Sequence, residues 1–304
     1  MHKLAIVGVF YDGYEDLWYD FVNLFRKNWP DCPYPLYIVD NEAELDSGKI
    51  DTSGITVLHA GKDAEYSRKV QMAVDQIEAE YYLLLLEDFF IVKPASNSIF
   101  FDMLEWAEKE KIEYYTMPMP EFVLKREKMA YEGQKNIFCI TEQKEYLMSC
   151  QPSVWKRDFL RLCIGRENYN AWVFEGIYAK TPCVRNNRFL EKSVIDYSNP
   201  LKLRHGALQG KMLPATIHVI RKSGYTMIST RPTLSIKQRF VHKLKQLAHK
   251  IFGVLPMPSF IANRIKNRSV LNRYADQIKE VASKVITQEQ VDAHIASREG
   301  YSKV

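Results

Sequence analysis

The stretch "YYLLLLEDFFIV", Tyr81 to Val92, sets six apolar or aromatic residues in a row and then two adjacent acids, Glu87 and Asp88. An unbroken apolar run of this length fits a strand covered on both faces, as in a parallel sheet, because a strand with one wet face would alternate. An ionised carboxylate is costly to bury without a partner. Glu87 and Asp88 therefore either mark where the strand surfaces into a turn or sit where something positive is held. In open α/β sheets the carboxyl ends of the strands gather the loops and helix starts that bind ligands.

Outward from this strand the first half alternates short apolar runs with helical stripes, the pattern of an α/β domain. Leu4 to Phe10 reads as a first strand, "LYIVD" as a second and "GITVLHAG" as a third. Tyr14 to Trp29 carries Leu17, Trp18, Phe21, Val22, Leu24 and Phe25 at helical spacing, and the prolines of "PDCPYP" end it. Glu65 to Ala79 is a helix with Val70, Ala73, Val74 and Ile77 on one face. A helix over 98–111 follows. Then "EYYTMPMP", "NIFCITE" and "EYLMSCQPSVW" read as strands, and "KRDFLRLCI" and "NAWVFEGIYAK" as helices.

The opening apolar run, Leu4 to Phe10, is too short for a membrane span and lacks the pattern of a secretory leader. Five cysteines without a CxxC pair argue against a disulfide framework or a zinc site and suit a reducing compartment. The formal charge of +5 hides an asymmetry: no Asp or Glu stands between Asp196 and Asp276, while fifteen Lys and Arg do, which leaves the remainder at −10. Within this basic stretch "IKQRFVHKLKQLAHKIF" has an apolar helical face, and further helices read over 261–267, 270–286 and, capped by Thr287 with Gln290, onward. A solvated face, an anionic membrane surface and a nucleic acid are its three candidate partners; no recognised nucleic-acid motif is present, so nucleic acid is not expected.

The "DN" pair after the second strand (Asp40, Asn41), "SRK" on the helix before the fourth, "LLLLEDFF" at that strand's end, "CQPSVW", "NAWVFEG" and "HGALQGKM" together resemble the bacterial GT-A fold glycosyltransferases of capsule and lipopolysaccharide biosynthesis. The resemblance covers roughly residues 3–232. It implies a Rossmann-like nucleotide-sugar-binding domain with a mixed sheet over 1–232, followed by a basic amphipathic helical extension over 233–304. It further implies an inverting hexosyl- or N-acetylhexosaminyltransferase that moves a sugar from a nucleotide donor, a UDP-sugar, to a glycan or lipid-linked glycan, peripheral on the cytoplasmic face of the membrane.

By the same resemblance Asp88 with Glu87 holds a divalent metal, Mn²⁺ or Mg²⁺, that bridges the donor diphosphate; Phe89 stands where the family's motif has another acid. Asp40, with Asn41 beside it, would accept a hydrogen bond from the uracil, and Ser67 and Arg68 would contact the donor. Glu175, between the aromatics of "AWVFEG", would be the general base that takes the acceptor proton. Gln151 and Trp155 would shape the sugar pocket and Trp172 would wall it. His205 and His218 are candidate third metal ligands or diphosphate contacts. Lys211 would stabilise the leaving group, in a loop that Gly206 and Gly210 make suited to phosphate. Each has a structural alternative: turn-capping acids for Glu87 and Asp88, a turn for Asp40 and Asn41, a surface ion pair for Glu175, core for the tryptophans. Two other functions stay open: a nucleotidyltransferase on a related fold, and a non-enzymatic adaptor for membrane or nucleic acid.

Overall fold

A computed structural model describes residues 1–119, 129–140, 148–180, 188–208, 210–236, 238 and 273–300. The chain is α/β, built on a mixed eight-stranded sheet of order β3-β2-β1-β4-β8-β6-β9-β7. Strands β1 (His2–Val9), β2 (Leu36–Asp40), β3 (Ile55–His59) and β4 (Ala79–Leu86) are mutually parallel. Beyond β4 the direction reverses: β8 (Ser153–Lys156) runs antiparallel to β4 and to β6 (Tyr114–Thr116), β9 (Ser193–Asp196) is parallel to β6, and β7 (Ile137–Cys139) closes the far edge antiparallel to β9.

Alternation within the apolar runs divides the side chains between two faces. Leu4 and Ile6 of β1 and Tyr81, Leu83 and Leu85 of β4 join Leu17, Phe21, Phe100 and Leu104 from α1 (Glu15–Asn28) and α3 (Asn97–Lys109). Ala5, Val7 and Val9, with Tyr82 and Leu84, turn to the opposite core. There they meet α2 (Tyr66–Gln76), α4 (Arg157–Ile164) and α5 (Ala171–Lys180). The run "YYLLLL" is thus apolar throughout because helices cover both of its sides.

Three local readings change. The helix before β4 stops at Gln76, and the strand starts two residues before Tyr81, at Ala79. Phe89–Ile91 leaves the main sheet as β5 and pairs antiparallel with β10 (Leu203–His205). The segment "HGALQGKM" contributes a small hairpin, β11 (Ala207–Leu208) with β12 (Lys211–Met212), followed by α6 (Pro214–Lys222).

Two further helices, α7 (Ala275–Val285) and α8 (Gln288–Gly300), pack on the same core as α2, α4 and α5, burying Ile278, Val281, Ala282, Val285, Val291 and Ile295. The expected cap is present: the N–H of Gln290 donates to Thr287 Oγ1 at 3.2 Å and the N–H of Thr287 to Gln290 Oε1 at 2.9 Å. Apart from residues 235, 236 and 238, the basic helix read over 235–252 lies outside the described residues, as do the helix over 261–267 and Cys183. Cys32, Cys139, Cys150 and Cys163 are free thiols. Among the described residues no helix is long and apolar enough to cross a membrane.

Candidate active site at the carboxyl edge of the sheet

β1 has β2 on one side and β4 on the other, so the strand order reverses across β1, and its carboxyl end is where an open α/β sheet forms a ligand crevice. The residues that follow β1, β2 and β4 line it. Asp12 sits in the turn after β1, and its two carboxylate oxygens accept from the N–H groups of Asn41 (2.9 Å) and Glu42 (3.0 Å), joining the first two loops. Asn41 donates to the carbonyls of Gly61, Lys62 and Ala64 at 2.8–3.1 Å and so fixes the loop after β3 as well. Lys69 reaches in from α2: its ammonium donates to Phe10 O and to Asn41 Oδ1, each at 2.6 Å, with only 3% of the residue exposed. Burial lowers the Lys69 pKa, while the charges of Glu87, Asp12 and Asp40 pull it back up.

Glu87 and Asp88 are both buried, at 8% exposure. Burial raises the pKa of each; for Glu87 the neighbouring Asp88 charge adds to the rise, opposed by Lys69 and by the N–H of Tyr11. Asp88 Oδ2 lies 3.2 Å from His205 Nε2, while its carbonyl accepts the Gly206 N–H at 2.6 Å. The β5–β10 pair creates this contact by setting His205 opposite Phe89.

A hard cation needs several oxygen ligands at once. Asp88 already has His205 Nε2 3.2 Å from its carboxylate. Among the described residues no group of three or more His, Cys, Asp and Glu is placed to hold a metal ion. Among the described residues, Glu87 and Asp88 therefore have no third metal-ligating side chain placed with them.

Glu175 comes to the same edge by another route. β8 pairs with β4 at Leu84↔Ser153, which brings Cys150 and Gln151, just before β8, level with the loop after β4. The Cys150 N–H donates to Glu175 Oε1 at 3.1 Å, and burial pushes the Glu175 carboxyl up to about 7. Asn170 caps α5 by accepting the Val173 N–H at 3.1 Å, so Glu175 lies in the helix's second turn. One turn before it Trp172 is 41% exposed, open to a ligand. Gln151 Oε1 accepts the Met119 N–H at 3.2 Å, tying the loop before β8 to the end of β6.

The other expected contacts have the following surroundings. Ser67 is fully buried; its hydroxyl donates to Glu167 O at 2.8 Å and accepts the Tyr169 N–H at 2.7 Å, so it braces α2 against the loop before α5. Arg68, the next residue along the helix, is exposed and donates to Gln71 Oε1 at 3.2 Å. Trp155 is a core residue: it has no exposed surface, stacks with Phe159 and donates to Ser153 Oγ, because its position in β8 points it at the α2–α5 layer. Asp40 is also fully buried, with Oδ1 2.7 Å from His59 Nδ1 on the adjacent strand, and Oδ2 has no hydrogen-bond partner among the described residues. His59 is exposed and closes over the end of β2. His218 is exposed on α6, and Lys211 is half-buried on β12.

Four residues that the sequence did not single out stand at the crevice: Asp12, Tyr14, Lys69 and Arg231. Lys69 did carry a signal, being a lysine on the stripe of Tyr66, Val70 and Ala73 that α2 buries. Arg231 carried none; its main partner is Asp16, 215 residues earlier.

No described protein family matches the chain, and no curated protein does. Among solved structures it is similar to Staphylococcus aureus TarS 1–349, with 10% identity, TM-score 0.44 and coverage of 95% of this chain and 92% of that one. The same fragment in complex with UDP-GlcNAc gives 13% identity, TM-score 0.42 and coverage of 96% and 83%. A cytidylyltransferase from Leptospira borgpetersenii gives 12% identity, TM-score 0.39 and coverage of 65% and 76%. Each is a remote likeness.

Proposed function

We propose that the protein is a glycosyltransferase of GT-A type that moves a sugar from a nucleotide donor, a UDP-sugar, to a hydroxyl of a glycan or lipid-linked glycan. The observation that carries this reading is the meeting of a buried acidic pair and a third carboxyl, all raised by burial, on one sheet edge. Glu87 and Asp88 end β4 at the crevice, and Glu175, with its carboxyl near neutrality, reaches the adjacent β8 edge beside an exposed tryptophan. A general base works best with a pKa near the operating pH, and a solvent-facing indole offers a sugar face something to stack on.

In this mechanism Glu175 removes the acceptor proton as the acceptor oxygen bonds to the anomeric carbon. The bond from that carbon to the diphosphate oxygen breaks, and its electron pair leaves with the nucleoside diphosphate. Inversion follows from attack opposite the leaving group. Asp12 and Asn41 hold the nucleotide-side loops in place.

The test is a panel of UDP-sugars with glycan acceptors, read by release of UDP. Nucleotidyl transfer would instead release pyrophosphate from a nucleoside triphosphate and a sugar phosphate. Pyrophosphate release without UDP release would replace the reading, and UDP release indifferent to Glu175→Gln would remove Glu175 from the role of base.

The acid-free stretch between Asp196 and Asp276, with its fifteen Lys and Arg, supports docking on an anionic cytoplasmic leaflet where a lipid-linked acceptor would lie. Each cation near such a surface contributes about 1 kcal/mol. Sedimentation with anionic but not zwitterionic liposomes is the expected result, and binding to DNA alone would refute it.

A further inference from the structure

Residues 225–231 are strapped across α1 by two aspartates. Asp20 accepts the Tyr225 hydroxyl (2.9 Å) and the N–H groups of Ile228 (2.7 Å) and Ser229 (2.9 Å). Asp16 accepts the Ser229 hydroxyl (2.5 Å), Arg231 Nε (2.8 Å) and Arg231 Nη2 (2.6 Å), and Arg231 Nη2 also donates to Gly13 O at 2.7 Å. The guanidinium carbon lies 4.0 Å from the centre of the Tyr14 ring. One edge of the guanidinium is thus held by protein. The other edge, Nη1, has no acceptor among the described residues and lies toward Gly210, where a Cβ would come within 3.8 Å of it. Gly210 turns the β11–β12 hairpin at φ +77°, a conformation that favours glycine.

This edge belongs to the acidic end of β4. The positive charge of Arg231 acts on Asp88, and the negative charge of Glu87 acts on Arg231. The framework between them is continuous: Asp88 O accepts from Gly206, Gly206 O accepts the Leu213 N–H at 2.8 Å, and the Met212 N–H donates to Pro232 O at 2.9 Å, next to Arg231. Lys211 sits in the same hairpin, opposite Leu208. No ion-pair partner for Lys211 is found among the described residues. Arg231 thus stands by the acidic end of β4, where a bridging metal would neutralise a diphosphate, with Lys211 in the neighbouring hairpin, and Asp88 there is already paired with His205.

Resting on the nucleotide-donor reading above, we infer that Arg231 and Lys211 bind the donor diphosphate directly, in place of a bridging divalent metal. The planar fork of an arginine already fixed by Asp16 and Tyr14 suits phosphate oxygens and loses little freedom on binding them. Asp16 and Asp20 act as positioning residues for it.

Calorimetry on the full chain with UDP and UMP, in EDTA and in Mn²⁺, tests this directly. UDP should bind in EDTA, more tightly than UMP, with little gain from Mn²⁺. Arg231→Gln and Lys211→Ala should each weaken UDP by about tenfold to a hundredfold, the scale of a charge-assisted hydrogen bond, and leave UMP unchanged. UDP binding that vanishes in EDTA and returns with Mn²⁺ overturns the inference while keeping the donor reading. So does an unchanged UDP-to-UMP ratio in Lys211→Ala, the variant without a strapped side chain to lose. Failure of UDP, GDP, CDP and ADP alike, with and without metal, removes the donor reading and this inference with it.

Discussion

Arg298→Met should unfold the protein several degrees early, and by an amount that shrinks with acid. Glu113 heads β6 and is 5% exposed, with Oε2 taken by Arg298 and by His294 Nε2 at 3.1 Å. Arg298 also donates to the carbonyls of Arg188 (2.6 Å) and Phe189 (2.9 Å), so one side chain ties α8 to the lower end of the sheet. Removing one partner of a buried pair costs about 3–5 kcal/mol, because the other charge stays buried. With an unfolding entropy of about 2.1 cal/mol/K per residue, a chain of this size should lose about 5–8 °C in Tm.

The sign of the pH effect discriminates. Burial raises the Glu113 pKa, but the hydrogen bond from His294 and the charge of Arg298 outweigh it and the net shift is downward. A folded value below the unfolded one contributes stability above the unfolded value, near 4.3, and loses it as pH falls through the folded value. In Arg298→Met two of the contributions that hold Glu113 down are gone while that of His294 stays, so the Glu113 pKa moves up from its wild-type position and acid costs the variant less than the wild type. Guanidinium or thermal melts at pH 7 and pH 5 should therefore show a gap to wild type that narrows at the lower pH. A gap below about 1 kcal/mol at pH 7, or one that does not change with pH, would refute the pairing. Glu113→Met in the same background should recover more than half of the loss, since an apolar pair of similar size avoids the desolvation penalty.

Glu175→Gln should lower UDP release by about 10²–10⁴-fold, and the wild-type rate should climb through pH 7 as the carboxyl ionises; a rate flat between pH 6 and 8 contradicts the assignment. Lys69→Met leaves Phe10 O and Asn41 Oδ1 without their buried donor and should cost about 2 kcal/mol by chemical denaturation, with weaker nucleotide binding; an unchanged midpoint would show that the loops after β1 and β2 are held by other contacts. Trp172→Ala, at an exposed position, should leave stability within about 0.5 kcal/mol while raising KM for the acceptor and not for the donor. A rise in donor KM alone would move Trp172 to the nucleotide side.

Much of the frame was legible because apolar runs report coverage. The run before Glu87 read as a strand with helices on both faces, which put its acids at a strand's carboxyl end. The capping pair Thr287 and Gln290 was equally local and took the predicted form. Helix and strand phase decided what was missed. At 100° per residue, α2 turns Ser67 and Lys69 inward and Arg68 out, a division that the short motif does not show. Trp155 lies on β8, where alternation sends it into the α2–α5 layer. The burial of Asp40 depends on His59, whose register opposite Asp40 is a property of the β2–β3 pairing and of neither strand alone. Arg231 and Asp16 meet only in three dimensions.

The packing of α7 on α5 has a consequence for the order in which the protein is made. Ile278 presses against Gly176, next to Glu175, so close that a Cβ there would be 2.4 Å from its Cδ1. The outer face of the helix that carries Glu175 therefore stays open to water until a segment about a hundred residues downstream has left the ribosome. At about 5–20 residues per second that interval is roughly 5–20 s, during which the sheet and the loops after β1 and β2 can form while α5 cannot be sealed. A nascent chain stalled before Ala275 should expose the apolar faces of α4 and α5 and attract chaperones that the finished protein does not.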